Sequence, residues 1–407
     1  MKLLYVTTSY PPFMDMQTIR NIKLINRLVE LGNEIIVVAP DANWLTFNKN
    51  EIFINSDVKV WRTKPPVFIK LQHFLSKHKL LKPISKVYNV LVNYILIPDI
   101  FASWSFVTKR AIKYNIAHEH FDAVITSSGG YSAHFIGNWI EKKFQICWIA
   151  DYGDPWGLDI YGNKKRIFHF FERKLLKNCS GLFFTTQSTI DAYISNFNLD
   201  NLKVFKLPCG FDYFPISKQL KNNQDCFLVT YTGVAYKLSR NLSNAVIALS
   251  NLSELGVKFK IVGSYSEKFV NLANSLNATN IDFHGKVNFE TSLEIIFNAD
   301  LLLHIGNFGS MQIPGKTYIY LGTPKPILYI KQELENDPTL SLIKQFKGVV
   351  ISENNSKSIE NSIKEILNNY DYYLRLSIER VNSKELAEYS WTSIGDYFNN
   401  CIKDILT

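Results

Sequence analysis

Lys2-Leu3-Leu4-Tyr5-Val6-Thr7-Thr8 is a short apolar and β-branched run, and Glu34-Ile35-Ile36-Val37-Val38-Ala39 repeats it. Between them Ile19, Ile22, Leu24, Ile25, Leu28 and Leu31 recur at helical spacing, and Gly32 stands where that helix should stop. Strand, helix and strand make one βαβ unit, and the rest of the chain repeats the same alternation. Further strands are predicted at Val58 to Arg62, Phe121 to Ser127, Gln145 to Ala150, Gly181 to Thr186 and Val204 to Leu207. After Pro208-Cys209-Gly210 the pattern restarts, with strands at Phe227 to Thr232, Val257 to Val262, Ile281 to His284, Ala299 to Leu303, Pro326 to Tyr329 and Gly348 to Ser352. Alternation of this kind implies α/β domains with parallel sheets and crossover helices.

A chain of 407 residues is too long for one ordinary core and about right for two. Two doubly wound domains are therefore expected, residues 1–208 and 209–390, with a hinge at Pro208 to Pro215 and a ligand cleft where the carboxyl ends of their strands face each other. A last helix, residues 391–407, opens at Trp391 and runs through Tyr397, Phe398, Ile402 and Ile405. It follows a helix, so it need not belong to the second sheet. An apolar share of 46% against 20% charged leaves no segment with the composition of a disordered tail. Five scattered cysteines, odd in number and without metal-ligand spacing, fit a reducing cytoplasm. The opening apolar run is too short for a signal-peptide core.

The net charge of +9 is concentrated. From Lys64 to Lys113 nine basic residues face one acid, Asp99, a net +8. Phe68, Leu71, Phe74, Leu75 and Leu80 interleave with the lysines, and the apolar run Val87 to Val107 follows, broken by Asn89, Asn93, Pro98 and Asp99. The expectation is a basic amphipathic segment lying on anionic lipid, with Lys77, Lys79, Lys82 and Phe74 as contacts. Its alternatives are helices packed on the domain with solvated lysines, and a true membrane span.

Asp151-Tyr152-Gly153-Asp154-Pro155-Trp156 follows a predicted strand, where α/β domains bind ligands. Asp151 and Asp154 are candidates to accept a proton from an acceptor hydroxyl; the other reading of Asp154 is a helix N-cap ahead of Pro155. Ser128-Gly129-Gly130 follows another strand and leads into a helix, a place for backbone N–H groups to meet a ligand. His134, one turn further on, faces either the cleft or a core neighbour. In the second half, Gly233 at the end of a strand, with Lys237 and Arg240 beyond it, forms a candidate diphosphate cradle. Gly309-Ser310-Met311-Gln312-Ile313-Pro314-Gly315-Lys316-Thr317-Tyr318 places a proline at the start of a helix with a lysine in its first turn, the best anion site in the chain. The chain has no G-x-G-x-x-G, Walker A, G-x-S-x-G or H-E-x-x-H motif, which argues against a dehydrogenase, P-loop NTPase, α/β-hydrolase or zinc protease.

The order of these motifs resembles the family 4 retaining glycosyltransferases, especially the branch that builds bacterial surface polysaccharides. The resemblance rests on Ser9-Tyr10-Pro11-Pro12 with Arg20, on Ser127 to His134, on Trp148 to Trp156, on Pro314-Gly315-Lys316 with Tyr320, Leu321 and Lys325 to Leu328, and on Tyr389-Ser390-Trp391. It implies the GT-B architecture, two Rossmann-like domains facing a central cleft, with the last helix crossing back to the first domain. It implies a transferase that moves a sugar from a nucleotide-sugar to an acceptor with retention of configuration; with the cysteine pattern and the basic insertion, the expectation is a cytoplasmic protein, peripheral at the inner face of the membrane, acting on a lipid-linked or glycan acceptor. No metal, other cofactor or nucleic acid is expected. The second domain would hold the donor, through Gly233, Lys237, Arg240, Gly309, Pro314, Gly315, Lys316, Thr317 and Tyr318. The first would hold the acceptor through Tyr10, Pro12, Asp15, Arg20, Ser128, Gly129 and Gly130, with Asp151, Asp154 and His134 as catalytic groups.

Three positions depart from the family pattern. Phe13-Met14-Asp15-Met16 replaces its glycine-rich loop, and Ile319 and Met311 stand where it has glutamates, one of which holds the nucleotide ribose. The expectation is that Tyr318 or Thr317 takes the ribose contact. The rival readings are a non-catalytic GT-B partner or scaffold at the membrane, and a nucleotide-sugar epimerase on the same architecture.

Overall fold

All thirteen predicted strands form, in two wholly parallel sheets. A computed structural model describes residues 1–42, 52–65, 67–158, 165–199, 202–213, 226–235, 240–307, 309, 311–332 and 337–407. The first sheet consists of β1 (Lys2–Thr7), β2 (Glu34–Pro40), β3 (Lys59–Thr63), β4 (Ala123–Ser127), β5 (Cys147–Tyr152), β6 (Gly181–Phe184) and β7 (Lys203–Lys206), in the order β3-β2-β1-β4-β5-β6-β7. The second consists of β8 (Phe227–Ala235), β9 (Val257–Tyr265), β10 (Ile281–His284), β11 (Leu301–Ile305), β12 (Ile327–Ile330) and β13 (Val349–Ser352), in the order β10-β9-β8-β11-β12-β13. Each sheet runs outward in one direction from its first strand and in the other from its fourth. The strand order therefore reverses between β1 and β4 and between β8 and β11, and α/β sheets bind ligands at the carboxyl end of such a reversal.

The chain divides into two units, Met1–Pro208 with Ile394–Thr407, and Cys209–Ser393. Within the first, the C-terminal part of the helix Trp391–Leu406 lies on the sheet and its first helix. Phe398 meets Phe183 edge to face at 4.9 Å, Asp396 pairs with Arg27 at 2.7 Å, and Asn33 donates to Asn399 at 3.0 Å. Helix Met16–Glu30 packs its apolar face inward, with Ile22, Leu24, Ile25 and Leu28 fully buried. Leu4, Val6, Trp104, Trp148 and Tyr152 join this unit's main core, and Val229, Phe259, Leu303 and Leu328 are in that of the second unit.

The basic insertion forms the helices Val67–Lys77, Lys82–Ile95 and Ala102–His118. The apolar run Val87 to Val107 is thus broken in two. Among the described residues no helix is long and apolar enough to cross a membrane.

Several strands outrun their sequence limits, and two of these extensions carry site candidates. β5 continues through Asp151, which pairs in register with Ser127. β8 continues to Ala235, so Gly233 lies inside a strand, opposite Gly263 of β9. Both glycines have φ values that side chains avoid, +116° and +126°, and a Cβ on Gly263 would come within 2.1 Å of the Gly233 carbonyl oxygen.

Candidate functional site

At the carboxyl ends of β1 and β4 the first unit holds a dense polar network. Asp15 caps helix Met16–Glu30: Oδ1 accepts from the Thr18 amide at 2.7 Å and Oδ2 lies 3.3 Å from Ser9 Oγ. One turn on, Asn21 donates to Ser9 O at 2.8 Å and Thr7 Oγ1 at 3.0 Å, and Gln17 donates to Ser127 Oγ at 2.8 Å.

Asp151 and Arg20 occupy the centre of this network and find each other. Arg20 Nη2 lies 2.7 Å from Asp151 Oδ1, with both side chains essentially sealed from solvent, and Nη1 donates to Pro208 O at 2.7 Å. Asp151 was expected to act as an acceptor base and Arg20 to touch the acceptor; the structure makes them a buried ion pair instead. A buried carboxylate needs such a partner, and it came within reach once β5 ran on past Ala150.

His134 is likewise a core residue in place of a cleft-facing one. Its Nδ1 lies 2.7 Å from Thr126 Oγ1, which also accepts from Trp148 Nε1 at 2.8 Å, and its ring stacks on Tyr152 at 4.4 Å. Burial pushes its pKa down to about 3, so the imidazole is neutral near pH 7. Tyr10 is buried too, its ring 5.4 Å from the Arg62 guanidinium and its hydroxyl pushed up to about 12 by burial; Pro12 is half-buried.

The helix N-terminus beyond Ser128-Gly129-Gly130, expected to receive a ligand, is occupied from within the chain. Asp99 Oδ2 accepts from the Ser132 amide at 2.9 Å, and Oδ1 accepts from Ser132 Oγ at 2.7 Å and the Phe101 amide at 2.8 Å. Burial raises the Asp99 pKa and these donors oppose the rise. Ser128 Oγ accepts from the Gly153 amide at 3.0 Å, Gly129 reaches the surface beside Ser9, and Gly130 is buried against Phe101, Thr8 and Asp99.

Asp154 alone of the three catalytic candidates is exposed. It does not cap a helix at Pro155, because residues 155–158 bend and turn and the next described helix is Lys165–Leu176. The backbone after it is pinned. Tyr131 donates to Pro155 O at 3.0 Å, Tyr193 Oη accepts from the Trp156 amide at 3.0 Å, and Glu172 Oε2 accepts from the Gly157 amide at 2.8 Å. Tyr193 in turn donates to Glu172 Oε1 at 2.6 Å, and burial raises the Glu172 pKa to about 7.

In the second unit, Lys316 and Arg240 meet at the end of β8. Lys316 Nζ donates to Thr232 O at 3.0 Å, lies 3.7 Å from the centre of the Tyr231 ring, and passes beside Gly233. Burial, with Arg240 adding repulsion, holds the Lys316 pKa well below its ordinary value. Arg240 Nε donates to Asn307 Oδ1 at 2.5 Å and Nη1 to Val234 O at 3.4 Å. No carboxylate pairs with either cation among the described contacts. Tyr320 ties the helix Gly315–Leu321 to β8, its Oη accepting from the Thr232 amide at 2.9 Å. That helix has only seven residues and Thr317 N already bonds Pro314 O; the charge of Lys316, more than a helix dipole, makes the site cationic. Gly309 follows β11 with φ +66°.

Thr317 and Tyr318, expected to take the ribose contact, are both buried. Thr317 is buried with Oγ1 2.8 Å from His304 Nε2, and Tyr318 is buried against Tyr389. Ile319 is part of an apolar cluster, and Met311 is half-buried. Lys237 lies outside the described residues, as do the side chains of Lys79 and Lys82; Lys77 and Phe74 are exposed. Among the described residues no group of three His, Cys, Asp or Glu side chains is placed to hold a metal. Sequence reasoning missed Asp99, Glu172 and His304. Only His304, inside the run Leu-Leu-Leu-His-Ile, carried a local signal.

No protein-family model matches the chain, and no curated protein matches it. Solved structures do. The chain is similar to HepE of Anabaena in complex with UDP and glucose, with TM-score 0.68 and 13% identity over 99% of each chain. It is also similar to TarM of S. aureus, in a complex containing UDP, with TM-score 0.64 and 12% identity over 99% of this chain and 100% of that one. The fold is GT-B. At TM-score 0.55 and 11% identity, over 99% of this chain and 96% of the other, it is also similar to a Listeria monocytogenes protein assigned as a UDP-N-acetylglucosamine 2-epimerase.

Proposed function

We propose that this chain transfers a sugar from a nucleotide-sugar to a lipid-linked or glycan acceptor in the building of a bacterial surface polysaccharide. The observation that carries this reading is the Lys316 and Arg240 pair. Two cations meet at the carboxyl end of β8, at the sheet's reversal point, with no carboxylate among their described partners. A diphosphate supplies the missing negative charge, and the same pair neutralises the charge that builds on it as it leaves. Gly233, with no side chain beside Lys316, leaves the anion room to approach. HepE and TarM, on the same fold, are each described in complex with UDP.

The first unit is proposed to hold the acceptor, with Asp154 as the carboxylate that accepts the hydroxyl proton. Retention of configuration rests on the family 4 resemblance. We further propose that the protein binds peripherally at the cytoplasmic face of the membrane through its cationic insertion.

Calorimetric titration of the intact protein with nucleotides and nucleotide-sugars tests this. Binding is expected, and Lys316→Ala should weaken it by roughly 10-fold or more, the worth of one charge-assisted contact. A folded protein that binds none of them would leave the second reading, a non-catalytic GT-B partner, which the apolar setting of Ile319 favours. Conversion of the donor sugar with no acceptor present would instead indicate an epimerase.

A further inference from the structure

Helices Val67–Lys77 and Lys82–Ile95 pack together as a hairpin, tied by Tyr88 Oη donating to Phe68 O at 2.9 Å. The second of them is built inside out. Ser85 and Val92 are buried, while Ile84, Val87, Leu91 and Ile95 are between 53% and 69% exposed. These four are spaced by three, four and four residues, so they form one row along the helix, about 16 Å long at 1.5 Å per residue. At the turn, Leu80 is 93% exposed, and Phe74 stands out from the first helix. A surface helix normally turns such a row toward its own core; a contiguous exposed row marks an interaction surface.

Charge decides what covers it. Residues 64–113 hold nine basic side chains and one acid, and that acid, Asp99, is bound to Ser132 and Phe101. A second copy of this chain would set a +8 segment against another of the same sign. A bilayer of anionic lipid offers negative headgroups to the lysines and an acyl boundary to the apolar row.

We propose that the hairpin lies in the plane of an anionic bilayer with the Ile84, Val87, Leu91 and Ile95 row sunk into the acyl boundary. This deepens the membrane placement given above and relocates its contact. The cluster expected from sequence, Lys77, Lys79, Lys82 and Phe74, sits at the turn end, and the row extends the surface along the whole second helix. Past Leu96 the chain leads on to the side proposed for the acceptor. Four residues past Ile95, Asp99 holds the start of the helix Ser132–Phe144, and Phe101 packs on Phe13 of the β1 loop at 6.3 Å. A docked hairpin therefore brings these loops close to the bilayer, which suits an amphiphilic acceptor with its lipid in the membrane.

Flotation of the intact protein with vesicles tests the proposal, using phosphatidylcholine alone and phosphatidylcholine mixed with phosphatidylglycerol. The wild type should float with the anionic vesicles, less so at high salt. The triple variant Val87→Ser, Leu91→Ser, Ile95→Ser keeps every charge and should lose at least roughly 10-fold in partitioning, with unchanged circular dichroism. A triple variant that floats like the wild type overturns the proposal, as does a wild type that ignores anionic vesicles. So does a wild-type dimer that the triple substitution makes monomeric, since the row would then be a protein interface. Nucleotide binding measured on the same samples reads the transferase proposal separately, because its donor site lies in the second unit.

Discussion

Asp151→Asn and Asp154→Asn should separate structural from catalytic carboxylates within one loop. Asp151 has no exposed surface and sits 2.7 Å from a guanidinium that is itself 1% exposed. Asparagine keeps the shape and the contact with Ser127 but leaves Arg20 charged and uncompensated. Removing one partner of a buried pair costs about 3–5 kcal/mol. For a unit of this size, each kcal/mol lowers the melting temperature by about 2–4 °C, so a fall on the order of 10 °C follows. Six of the seven tryptophans belong to the first unit, so intrinsic fluorescence reports its unfolding with little contribution from the second. Replacing both partners with apolar residues, Arg20→Met with Asp151→Leu, should recover much of the loss, because no lone charge remains. Asp154→Asn, on an exposed side chain, should leave the melting curve in place and lower turnover by about 10²-fold, the usual worth of a positioned base. The reasoning fails if Asp151→Asn melts with the wild type and loses only turnover. It also fails if Asp154→Asn transfers sugar at the wild-type rate.

Glu172 gives a pH signature. Its pKa rises from 4.5 to about 7 on folding, so its contribution is fully present below about pH 4.5 and lost as pH rises through 7, a difference of about 3 kcal/mol. Urea midpoints read by fluorescence should fall between about pH 5 and pH 8, and Glu172→Gln should flatten that fall. Arg380 donates to the carbonyls of Leu321, Thr323, Lys325 and Lys347 at 2.7 to 3.0 Å, and so fixes the chain between the Lys316 helix and β12. Arg380→Ala strands four acceptors and should cost about 4 kcal/mol or more, seen by calorimetry as an earlier transition of the second unit together with weaker nucleotide binding. Arg380→Lys, with three donors, should fall between.

What sequence reading reached and missed follows the range of the interaction. Each strand was legible because a buried parallel strand announces itself as a local apolar run. Lys316 was legible because Pro314 marks a helix start and the lysine sits in its first turn. Arg20 and Asp151 lie 131 positions apart, and nothing near either says that they meet. Asp99 looked incidental, a single acid in a basic stretch. Its role depends on a helix start 33 residues away, which has no capping side chain of its own. The composition of the basic insertion is legible in the sequence, but which face of its helices turns outward depends on how they pack.

The two sheets share a strand order, and their reversal points are furnished in opposite ways. Between β1 and β4 buried polar groups among the described residues find partners from within: Asp151 pairs with Arg20, Asp99 accepts from the helix start at Ser132, and Asn21 and Gln17 donate to hydroxyls and a carbonyl. Between β8 and β11 the cations Lys316 and Arg240 repel one another, and among the described contacts their partners are carbonyls, an amide, aromatic rings and the Tyr231 hydroxyl, with no carboxylate. An anion placed there would offset that repulsion. On the proposed reading, the anionic donor would meet the cationic site of the second unit and the acceptor hydroxyl the internally compensated site of the first.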